Sequence, residues 1–600
     1  MLKKALSSAA VILSIANAHA QTTFLPLGSE DYRVLDRLET LSGRLCDSIV
    51  SGDKPESRRN AVHFLEYLKN KNTFCTDPSV VVTIDSSAPR AEYSKIDRYN
   101  LDQMISESGE WTLKGDGAID SKKAWFKRFY QKQYNFFYIK TEDFVLDKDF
   151  FLVVNPVTNN IASMQQNSPN PAGINKTTFF SSRGAEVRLW ISKKVGFYSC
   201  FTDNQEQFPY FVNNSVSKKL QAVPGADYFK NPTKPTGQYD YMQASGYMNF
   251  DLVKDHLNIT FGSGKHFIGD GFTSLLLTDN SSNMPFLQMQ MRIWKLNYEA
   301  LTLELMPQYT KDKDQVLPKK YSSIHYLTIN ATRWLNIGLF EAEVFSRSNQ
   351  FELSYLNPFI VTTTINRYNG AGDKSLLGFS GKAIILKRMQ LYGQFILNEF
   401  RIGELTSNKG WYGNKYGIQV GGKYFDAAGI RNLDLQAEVN AVRPYTYSSQ
   451  DTFANYTNYN QPMADPLGAG FIKTIGEVRY QPMKNLYLTL RATYYTQGAD
   501  TGNRNFGNNV FKNYTTAAST YGVSMVNGPK NTCKIVNLNV SYQVRRNIFL
   551  DLGGTYRNYS SNAGIYPEYT TNGPVTSALT TTYFYFGLRV NAARRNYDLF

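Results

Sequence analysis

Eleven consecutive residues late in the chain, Thr581 to Asn591, alternate strictly between two kinds of side chain. Phe584, Phe586 and Leu588 share one phase, and Tyr583 and Tyr585 share the other. A period of two predicts a β-strand with one face in an apolar medium and one in a polar medium. Segments of this type recur through residues 146–600. A strand can cross lipid only when both of its edges are paired, so the sequence predicts a closed transmembrane barrel.

The first twenty residues have the pattern of an export signal. Lys3 and Lys4 precede an apolar stretch from residue 5 to residue 16, and Ala18-His19-Ala20 forms a cleavage site of the A-x-A type. The apolar stretch is too short to span a membrane, and no run of about eighteen apolar residues follows it. Export without a transmembrane helix favours a bacterial outer membrane as the destination.

The composition is compatible with one large barrel. The sequence has 600 residues, of which 41 are Tyr and 38 are Phe, as aromatic girdles at the two membrane interfaces require. The mean hydropathy of −0.39 does not contradict this interpretation, because only every second residue of a strand faces lipid.

The sequence is basic. Its formal net charge of +15 includes Lys3 and Lys4, so +13 remains once the export signal is removed. We expect attraction to anionic lipid headgroups or anionic polysaccharide, and no binding of nucleic acid by an exported barrel.

Residues 21–145 follow a different pattern, with apolar side chains at helical spacing. The stripes comprise Val34, Leu35, Leu38, Leu41 and Leu45; Ala61, Phe64, Leu65 and Leu68; Leu101, Met104 and Ile105; and Trp125, Phe126, Phe129 and Tyr130. Amphipathic helices need a surface on which to pack. The sequence therefore predicts a small periplasmic α-helical plug or cap at 21–145, followed by the barrel at 146–600.

From Phe150 onward we predict about 18 antiparallel strands whose connections alternate between short and long. The short connections fall at Lys193-Lys194, Asp255-His256, Lys295-Leu296, Arg333 to Asn336, Lys387-Arg388, Ala427 to Arg431, Pro482 to Asn485 and Arg545-Arg546. The long ones fall at 164–177, 204–236, 266–285, 310–320, 348–375, 401–414, 445–468, 499–533 and 560–580. Short turns on one side and long loops on the other match periplasmic turns and extracellular loops. An even number of strands places both ends of the barrel in the periplasm.

Charged side chains of both signs occupy the polar phases of the strands, so we predict that they face the lumen. They are Arg188, Arg292, Glu304, Glu341, Glu343, Glu438, Glu477, Arg479 and Arg491. Such charges could line a conducting pore or cross-link a filled interior. The bulky Trp190, Trp294 and Tyr487 share these phases and favour a filled interior.

Residue types that carry catalysis or bind metals are sparse. The four cysteines lack metal-ligand spacing; Cys46 and Cys75 could form a disulfide, or remain as buried thiols. His325 lies near Ser322 and Ser323, which is a weak signal for hydrolysis. We predict no catalytic residues, metal or cofactor, and no enzymatic activity.

Aromatic side chains beside polar groups in the long loops could bind sugar rings. The candidates are Lys265, His266, Asp270, Trp411, Tyr412, Tyr445, Tyr447, Tyr456 and Tyr459. For any single aromatic residue among them, the alternative is packing within a loop or in the outer girdle.

Several stretches resemble the Wzi-like capsule-assembly family. They are Tyr138 to Pro156, Arg183 to Arg188, Phe267 to Asp279, Glu352 to Pro358, Arg443 to Tyr447 and Tyr459 to Gly468. The similarity covers nearly all of the mature chain and is greatest to the Bacteroidota branch that includes the gliding-motility protein RemB.

The resemblance implies an outer-membrane barrel with a periplasmic helical bundle that binds or anchors capsular polysaccharide at the cell surface. It implies a lectin-like role without chemistry, with outer-membrane lipid and surface polysaccharide as partners. Two alternatives stay open. One is an accessory subunit of a gliding, secretion or barrel-assembly complex that contacts other envelope proteins through the helical domain. The other is a porin-like channel.

Overall fold

The structure is a computed structural model of the chain. It describes residues 23–70, 93–112, 137–140, 150–166, 176–191, 195–216, 221–230, 237–253, 256–308, 316–347, 350–370, 372–501, 503–565 and 576–597.

Eighteen antiparallel strands form a closed barrel, which confirms the predicted fold class and strand number. The strands are β1 Phe150–Gln166, β2 Thr177–Ile191, β3 Val195–Gln207, β4 Gln238–Val253, β5 Leu257–Gly264, β6 Met284–Ile293, β7 Leu296–Leu305, β8 Lys320–Asn330, β9 Leu335–Phe345, β10 Lys374–Ile385, β11 Met389–Glu399, β12 Lys415–Tyr424, β13 Leu433–Val442, β14 Phe471–Met483, β15 Leu486–Gly498, β16 Lys530–Arg545, β17 Ile548–Ile565 and β18 Thr576–Val590.

The barrel closes through β18 and β1, which pair from Thr582 opposite Gln166 to Val590 opposite Thr158. A short strand, Phe137–Lys140, pairs with the beginning of β1. Two further two-stranded sheets join Asp53–Lys54 to Phe267–Ile268 and Thr457–Asn458 to Gln461–Pro462.

Short connections at one end of the barrel and long connections at the other are arranged as predicted. The short ones span 192–194, 254–256, 294–295, 331–334, 386–388, 425–432, 484–485 and 546–547. The long ones span 167–176, 208–237, 265–283, 306–319, 346–373, 400–414, 443–470, 499–529 and 566–575. We call these two ends the short-turn end and the long-loop end.

The two phases of each strand face different surroundings, as the wall of a membrane barrel requires. In β18, Phe584 and Phe586 are exposed on the outside, whereas Tyr583 and Tyr585 are buried in the lumen. The alternation in β18 therefore separates the lipid-facing wall from the packed interior.

The N-terminal region contains helices α1 Asp31–Ser42, α2 Arg58–Asn70 and α3 Lys95–Glu107. Ser94 and Asp97 form a capping box at the start of α3, which satisfies two backbone N–H groups that the helix leaves unpaired. Apolar side chains from three of the four predicted stripes pack into one core, including Leu38, Leu65 and Leu101. We call residues 23–70 and 93–112 the plug.

Shorter helices lie in the long connections. They are α4 Tyr210–Ser215, α5 Thr362–Asn369 and α6 Ile402–Thr406, with single 3₁₀ turns at Leu353–Leu356, Thr452–Ala454 and Tyr514–Thr516. Two further 3₁₀ turns lie elsewhere, at Gly109–Trp111 in the plug and at Ala427–Gly429 in a short connection. Within the described part of the chain, no helix combines the length and the apolar character needed to span a bilayer.

Some sequence predictions fall outside the described residues. They are the export signal at 1–20, Cys75 and the helical stripe at Trp125 to Tyr130. Cys46 is disulfide-bonded, and Cys200 and Cys533 are free thiols. The specific Cys46–Cys75 pairing and the domain boundary at residue 145 stay predictions.

Candidate functional site

The plug is held inside the barrel, at the short-turn end, by ion pairs with lumen-facing side chains. Lys382 of β10 donates to Glu39 at 2.9 Å, and Lys423 of β12 donates to Asp36 at 2.6 Å. Further pairs join Arg33 to Glu477, Arg37 to Asp426 and Asp434, Arg59 to Asp251, Glu30 to Arg479, Glu110 to Arg188, and Asp31 and Glu107 to Arg546. These contacts reach the wall from β2 round to the turn after β16, so the plug is fixed on all sides.

The charge of Glu30 depends on the arginines around it. Burial alone would raise the pKa of Glu30, but Arg479, Arg33 and Arg594 more than offset burial and hold the pKa below its ordinary value. The carboxylate is therefore ionised in the folded protein and ties the start of α1 to β14.

The connection between β5 and β6 folds into the lumen from the long-loop end. The backbone N–H of Gly269 donates to the carbonyl of Gly52 at 2.7 Å, so this connection meets the plug directly. The side chain of Glu438 in β13 accepts from the Phe272 N–H at 2.8 Å. Leu275, Leu276 and Leu277 are fully buried against the wall. We call residues 265–283 the inner loop.

Residues 591–597, which we call the tail, turn back into the lumen after β18. Asn591 donates its backbone N–H to Asn547 at the short-turn end, at 2.9 Å. At the other end of the tail, Arg595 pairs with Glu206 at 3.1 Å, and the Tyr597 hydroxyl donates to the same carboxylate. Because Glu206 lies near the long-loop end of β3, the tail runs along much of the interior.

A cavity of about 670 Å³ remains between these three insertions. The plug contributes Glu30 and Lys54, the inner loop contributes Lys265 and Asp270, and the tail lines it through Arg594. The side chains that line it carry both signs of charge. The plug, the inner loop and the tail thus occupy the lumen around this cavity.

Six of the nine charged residues that we predicted in the lumen do lie there. They are Arg188, Arg292, Glu438, Glu477, Arg479 and Arg491, each in the phase that carries the buried polar side chains of its strand. Of the bulky residues, Trp190 and Tyr487 share that face, but Trp294 is in the β6–β7 turn and is exposed.

Glu304, Glu341 and Glu343 do not line the lumen, contrary to the prediction. In β9 the lumen phase is Phe340, Ala342 and Val344, all buried in the core around the inner loop. Glu341 and Glu343 share the other phase with the exposed Leu339 and therefore point outward. Glu304 likewise lies on the outer face of β7, where it pairs with Lys319. The physical reason is that these strands carry apolar side chains on both faces, so polarity does not distinguish them.

Three of the predicted glycan contacts lie inside the barrel, in the inner loop. Lys265 donates to the carbonyls of Gly225 and Asp279 at 2.7 and 3.0 Å, and burial lowers its pKa to about 8. Burial lowers the pKa of His266 to about 3, and its ring packs edge-on against Phe286. Asp270 accepts from the Ser51 hydroxyl of the plug at 3.4 Å and lies 3.8 Å from Lys382 of the wall. None of the three lies at the outer surface.

Three of the predicted aromatic contacts are buried supports. The hydroxyls of Tyr447 and Tyr456 donate to the carbonyls of Leu275 and Leu276, each at 2.7 Å, and Tyr445 donates to Asn505 at 2.8 Å. The first two hydrogen bonds hold the connection 443–470 over the inner loop, and the third ties it to the connection 499–529.

The other three aromatic candidates pack between loops. Trp411 is buried beneath the guanidinium of Arg401, Tyr412 contacts Tyr445 edge-on, and the half-buried Tyr459 contacts Tyr228. The structure therefore brings Trp411, Tyr412 and Tyr445 together, as internal packing.

A different set of side chains is exposed at the junction of connections 400–414 and 499–529. Backbone hydrogen bonds lock the two together, from Gly522 to Lys409 and from Val523 to Gly410, each at 2.9 Å. The exposed side chains are Arg401, Lys409, Arg504 and Tyr521. We call these four residues the cationic rim. Among the described residues, its three cations have no carboxylate within 4.0 Å.

Sequence reasoning missed the cationic rim because it ranked loop residues by aromatic content. The three cations do stand out in the sequence as charges within long predicted loops. What the sequence did not reveal is which loop residues stay exposed once the loops pack on one another.

The region near His325 offers no support for hydrolysis. Its Nδ1 lies 2.8 Å from a Glu341 carboxylate oxygen on the outer wall. Ser322 faces inward, Ser323 shares the outer face with His325, and among the described residues no hydrogen bond joins His325 to either serine. The described residues contain no cluster of His, Cys, Asp and Glu suited to a metal ion.

No protein-family model and no curated protein matches the sequence. Among solved structures, the chain is similar to Escherichia coli Wzi, described as a carbohydrate-binding β-barrel involved in group 1 capsule assembly. The identity is 12%, the TM-score is 0.52, and the match covers 96% of this chain and 100% of that one. This likeness shows the fold alone, that of an outer-membrane barrel.

Porins are also similar, at lower scores. Pseudomonas aeruginosa OprD is 9% identical with a TM-score of 0.39, covering 73% of this chain and 94% of that one. A BenF-like porin from Pseudomonas fluorescens Pf-5 is 10% identical with a TM-score of 0.41, covering 73% of this chain and 98% of that one.

Proposed function

We propose that this outer-membrane barrel binds or anchors an anionic polysaccharide at the cell surface through its long-loop end. The observation that carries the proposal is the occupied lumen. The plug, the inner loop and the tail fill the space that a porin leaves to water, and buried contacts hold each of them in place. A barrel filled in this way presents its loops rather than a pore.

The cationic rim gives that surface its chemistry. Arg401, Lys409 and Arg504 supply exposed positive charge, and the exposed Tyr521, whose hydroxyl donates to Glu404 at 3.2 Å, adds an aromatic face. Cations without carboxylate partners attract acidic sugars over a distance set by the ionic strength. An aromatic face complements the apolar C–H face of a sugar ring.

Two likenesses add support. The structural similarity is to a barrel described as carbohydrate-binding, and several stretches of the sequence resemble the Wzi-like capsule-assembly family.

The finer resemblance, to the gliding-related Bacteroidota branch, makes surface motility a further phenotype to examine in cells that lack the protein. We place residues 21–145 on the periplasmic side, where they could contact other envelope proteins.

The test reverses the charge of the cationic rim. In cells that carry Lys409→Glu together with Arg504→Glu, we expect polysaccharide to move from the cell surface into the medium while total synthesis stays constant. The control is Lys176→Glu with Lys230→Glu, which changes the same charge on exposed lysines of other long connections. Surface polysaccharide is measured in the cell-bound and released fractions, with barrel abundance measured in parallel.

Two results would contradict the proposal. One is normal retention by the rim variant at normal abundance. The other is equal loss in both variants, which would indicate a general effect of charge on the outer face. Normal retention in cells that lack the protein altogether would direct attention to the complex-subunit alternative.

A further inference from the structure

Residues 350–370, which we call the flap, fold down over the outside of the barrel wall. The Tyr355 ring stacks on Phe345 of β9 at 4.3 Å between centroids, and the Tyr298 hydroxyl on the outer face of β7 donates to the Pro358 carbonyl. The backbone N–H of Thr362, at the start of α5, donates to Glu341 at 3.0 Å. A long connection thus covers part of the surface that strands elsewhere in the barrel present to lipid.

The flap seals the outward-pointing carboxylates. Asn366 of α5 donates to Glu343 at 2.7 Å, and Ser375 donates to the same carboxylate at 2.6 Å. The Glu341 carboxylate accepts from the backbone N–H of Thr362 and lies beside the His325 ring. Ionisable groups on a lipid-facing wall are costly unless they are covered and hydrogen-bonded. The flap is therefore a fixed part of the wall.

The flap reaches the depth of the apolar band. Tyr298 is in register with Leu327 of β8, Leu327 with Leu339 of β9, and Leu339 with Phe379 of β10. The latter three are exposed apolar side chains on the outer face. Glu341, four residues below the long-loop end of β9, lies about 10 Å beneath that end for a tilted strand. The flap therefore enters the outer leaflet.

The flap carries two charged side chains, Glu352, whose carboxylate lies 3.8 Å from Arg347, and Arg367. Phe359 is 76% exposed and Tyr368 is 85% exposed. Leu353, Leu356, Ile360 and Val361 are exposed as well. These side chains extend beyond the wall.

The backbone of the flap is irregular where it is deepest, between the 3₁₀ turn Leu353–Leu356 and α5. Among the hydrogen bonds of the described residues, none starts from the backbone N–H of Ile360 or Val361. Hydrocarbon offers no acceptor, and irregular backbone exposed to lipid does not occur at this depth. Acyl chains alone therefore do not satisfy this segment.

We propose that the flap is the docking surface for another protein of the outer membrane, whose membrane-embedded wall packs on Phe359 and Tyr368. That partner presents carbonyl or hydroxyl acceptors to the N–H groups of Ile360 and Val361. It has an apolar, largely uncharged surface, because the flap offers one cation and no carboxylate between residues 353 and 370. This inference concerns the side wall and is independent of the polysaccharide surface at the long-loop end.

The test compares the reactivity of single cysteines in native outer membranes and in purified form. Cysteine replaces Phe359 or Tyr368 on the flap, or Phe586 on the bare outer face of β18 as a matched control, in a Cys200→Ser, Cys533→Ser background. A lipid-soluble maleimide labels isolated outer membranes and purified barrel in dilute phosphatidylethanolamine–phosphatidylglycerol vesicles. We expect both flap cysteines to react several-fold more slowly in native membranes than in vesicles, and the Phe586→Cys variant to react equally in both.

Equal reactivity of the flap cysteines in the two membranes would overturn the proposal, since lipid alone would then cover the flap. Slow labelling of the flap cysteines in vesicles that hold the purified barrel at high density would also overturn the proposal. A second copy of the chain would then be the occupant. A shift between folded and unfolded bands on heating verifies that each variant is folded.

Discussion

Tyr447 shows how little an aromatic residue in a loop reveals about its role. Its ring lies in the core that joins the inner loop to the wall, 5.9 Å from that of Tyr456. Its hydroxyl reaches the Leu275 carbonyl. A tyrosine whose ring is buried and whose hydroxyl is satisfied stabilises the protein through both ends of the side chain.

We expect Tyr447→Ala to lower the free energy of unfolding by about 3–5 kcal/mol, because it leaves a cavity beneath the loops. Tyr447→Phe, which removes only the hydrogen bond, should cost about 1 kcal/mol. The measurement is the urea midpoint of the purified barrel, followed by the loss of the folded band. Phe453→Ala, at an exposed ring in the same connection, is the control and should leave the midpoint nearly unchanged. Similar midpoints for Tyr447→Ala and Phe453→Ala would contradict the buried role.

The outward glutamates show which residue assignments the sequence could not support. Strand β9 has Leu335, Ile337 and Leu339 in one phase and Phe340, Ala342 and Val344 in the other. Because both faces are apolar, the phase that carries Glu341 cannot be assigned from alternation. Two sets of contacts determine which phase faces the lumen. Glu341 and Glu343 bond to the flap or to side chains beside it, and the opposite phase packs around the inner loop, which is distant in sequence.

At the scale of elements, the tail is a short segment whose side chains make several buried polar contacts. Glu206 has no exposed surface and accepts from Arg595, Tyr597 and, at 2.7 Å, Tyr241. Tyr597 also packs edge-on against Phe208 and Tyr583. Glu206 therefore depends on the tail for its counter-charge.

Deleting residues 592–600 should destabilise the barrel by about 3–5 kcal/mol, since it leaves a buried carboxylate without its cation. Adding Glu206→Gln to the deletion should recover part of that loss, because the uncompensated charge is then gone. Glu206→Gln in the full-length chain is the control and should be destabilising, since it weakens the pair with Arg595. The readout is the temperature at which the folded band disappears. Failure of Glu206→Gln to improve the deleted chain would contradict the charge argument.

The lengths of the strands and connections could be predicted from the sequence. The places where long connections insert into the lumen could not. The eight short turns and nine long connections follow from local patterning, because turn residues interrupt strands of alternating polarity. The insertion of the inner loop rests on contacts such as Phe272 with Glu438, 166 residues apart. No local pattern predicts such a contact.

At the scale of the whole molecule, the occupied interior distinguishes this barrel from an open channel. The plug enters at the short-turn end, the inner loop enters at the long-loop end, and the tail runs between them. A cavity of about 670 Å³ lies among these three insertions. The filled lumen that bulky side chains suggested is thus built largely by inserted segments.

We expect the purified barrel to show no steady ion conductance in a planar lipid bilayer. A porin of known conductance, reconstituted in the same way, is the control for insertion. Stable, reproducible open steps in the absence of denaturant would contradict the prediction and favour the porin-like alternative. Occasional brief steps that appear only in urea would reflect release of the plug.

The position of the tail has a consequence for the order in which the molecule is made. The plug precedes every strand of the barrel in the chain and lies inside the finished wall. Residues 591–597 follow β18, the strand that closes the seam with β1, so we expect them to dock after that strand has paired. Biogenesis would then end with a step that occurs after closure, in which a few residues slide inward from the periplasm.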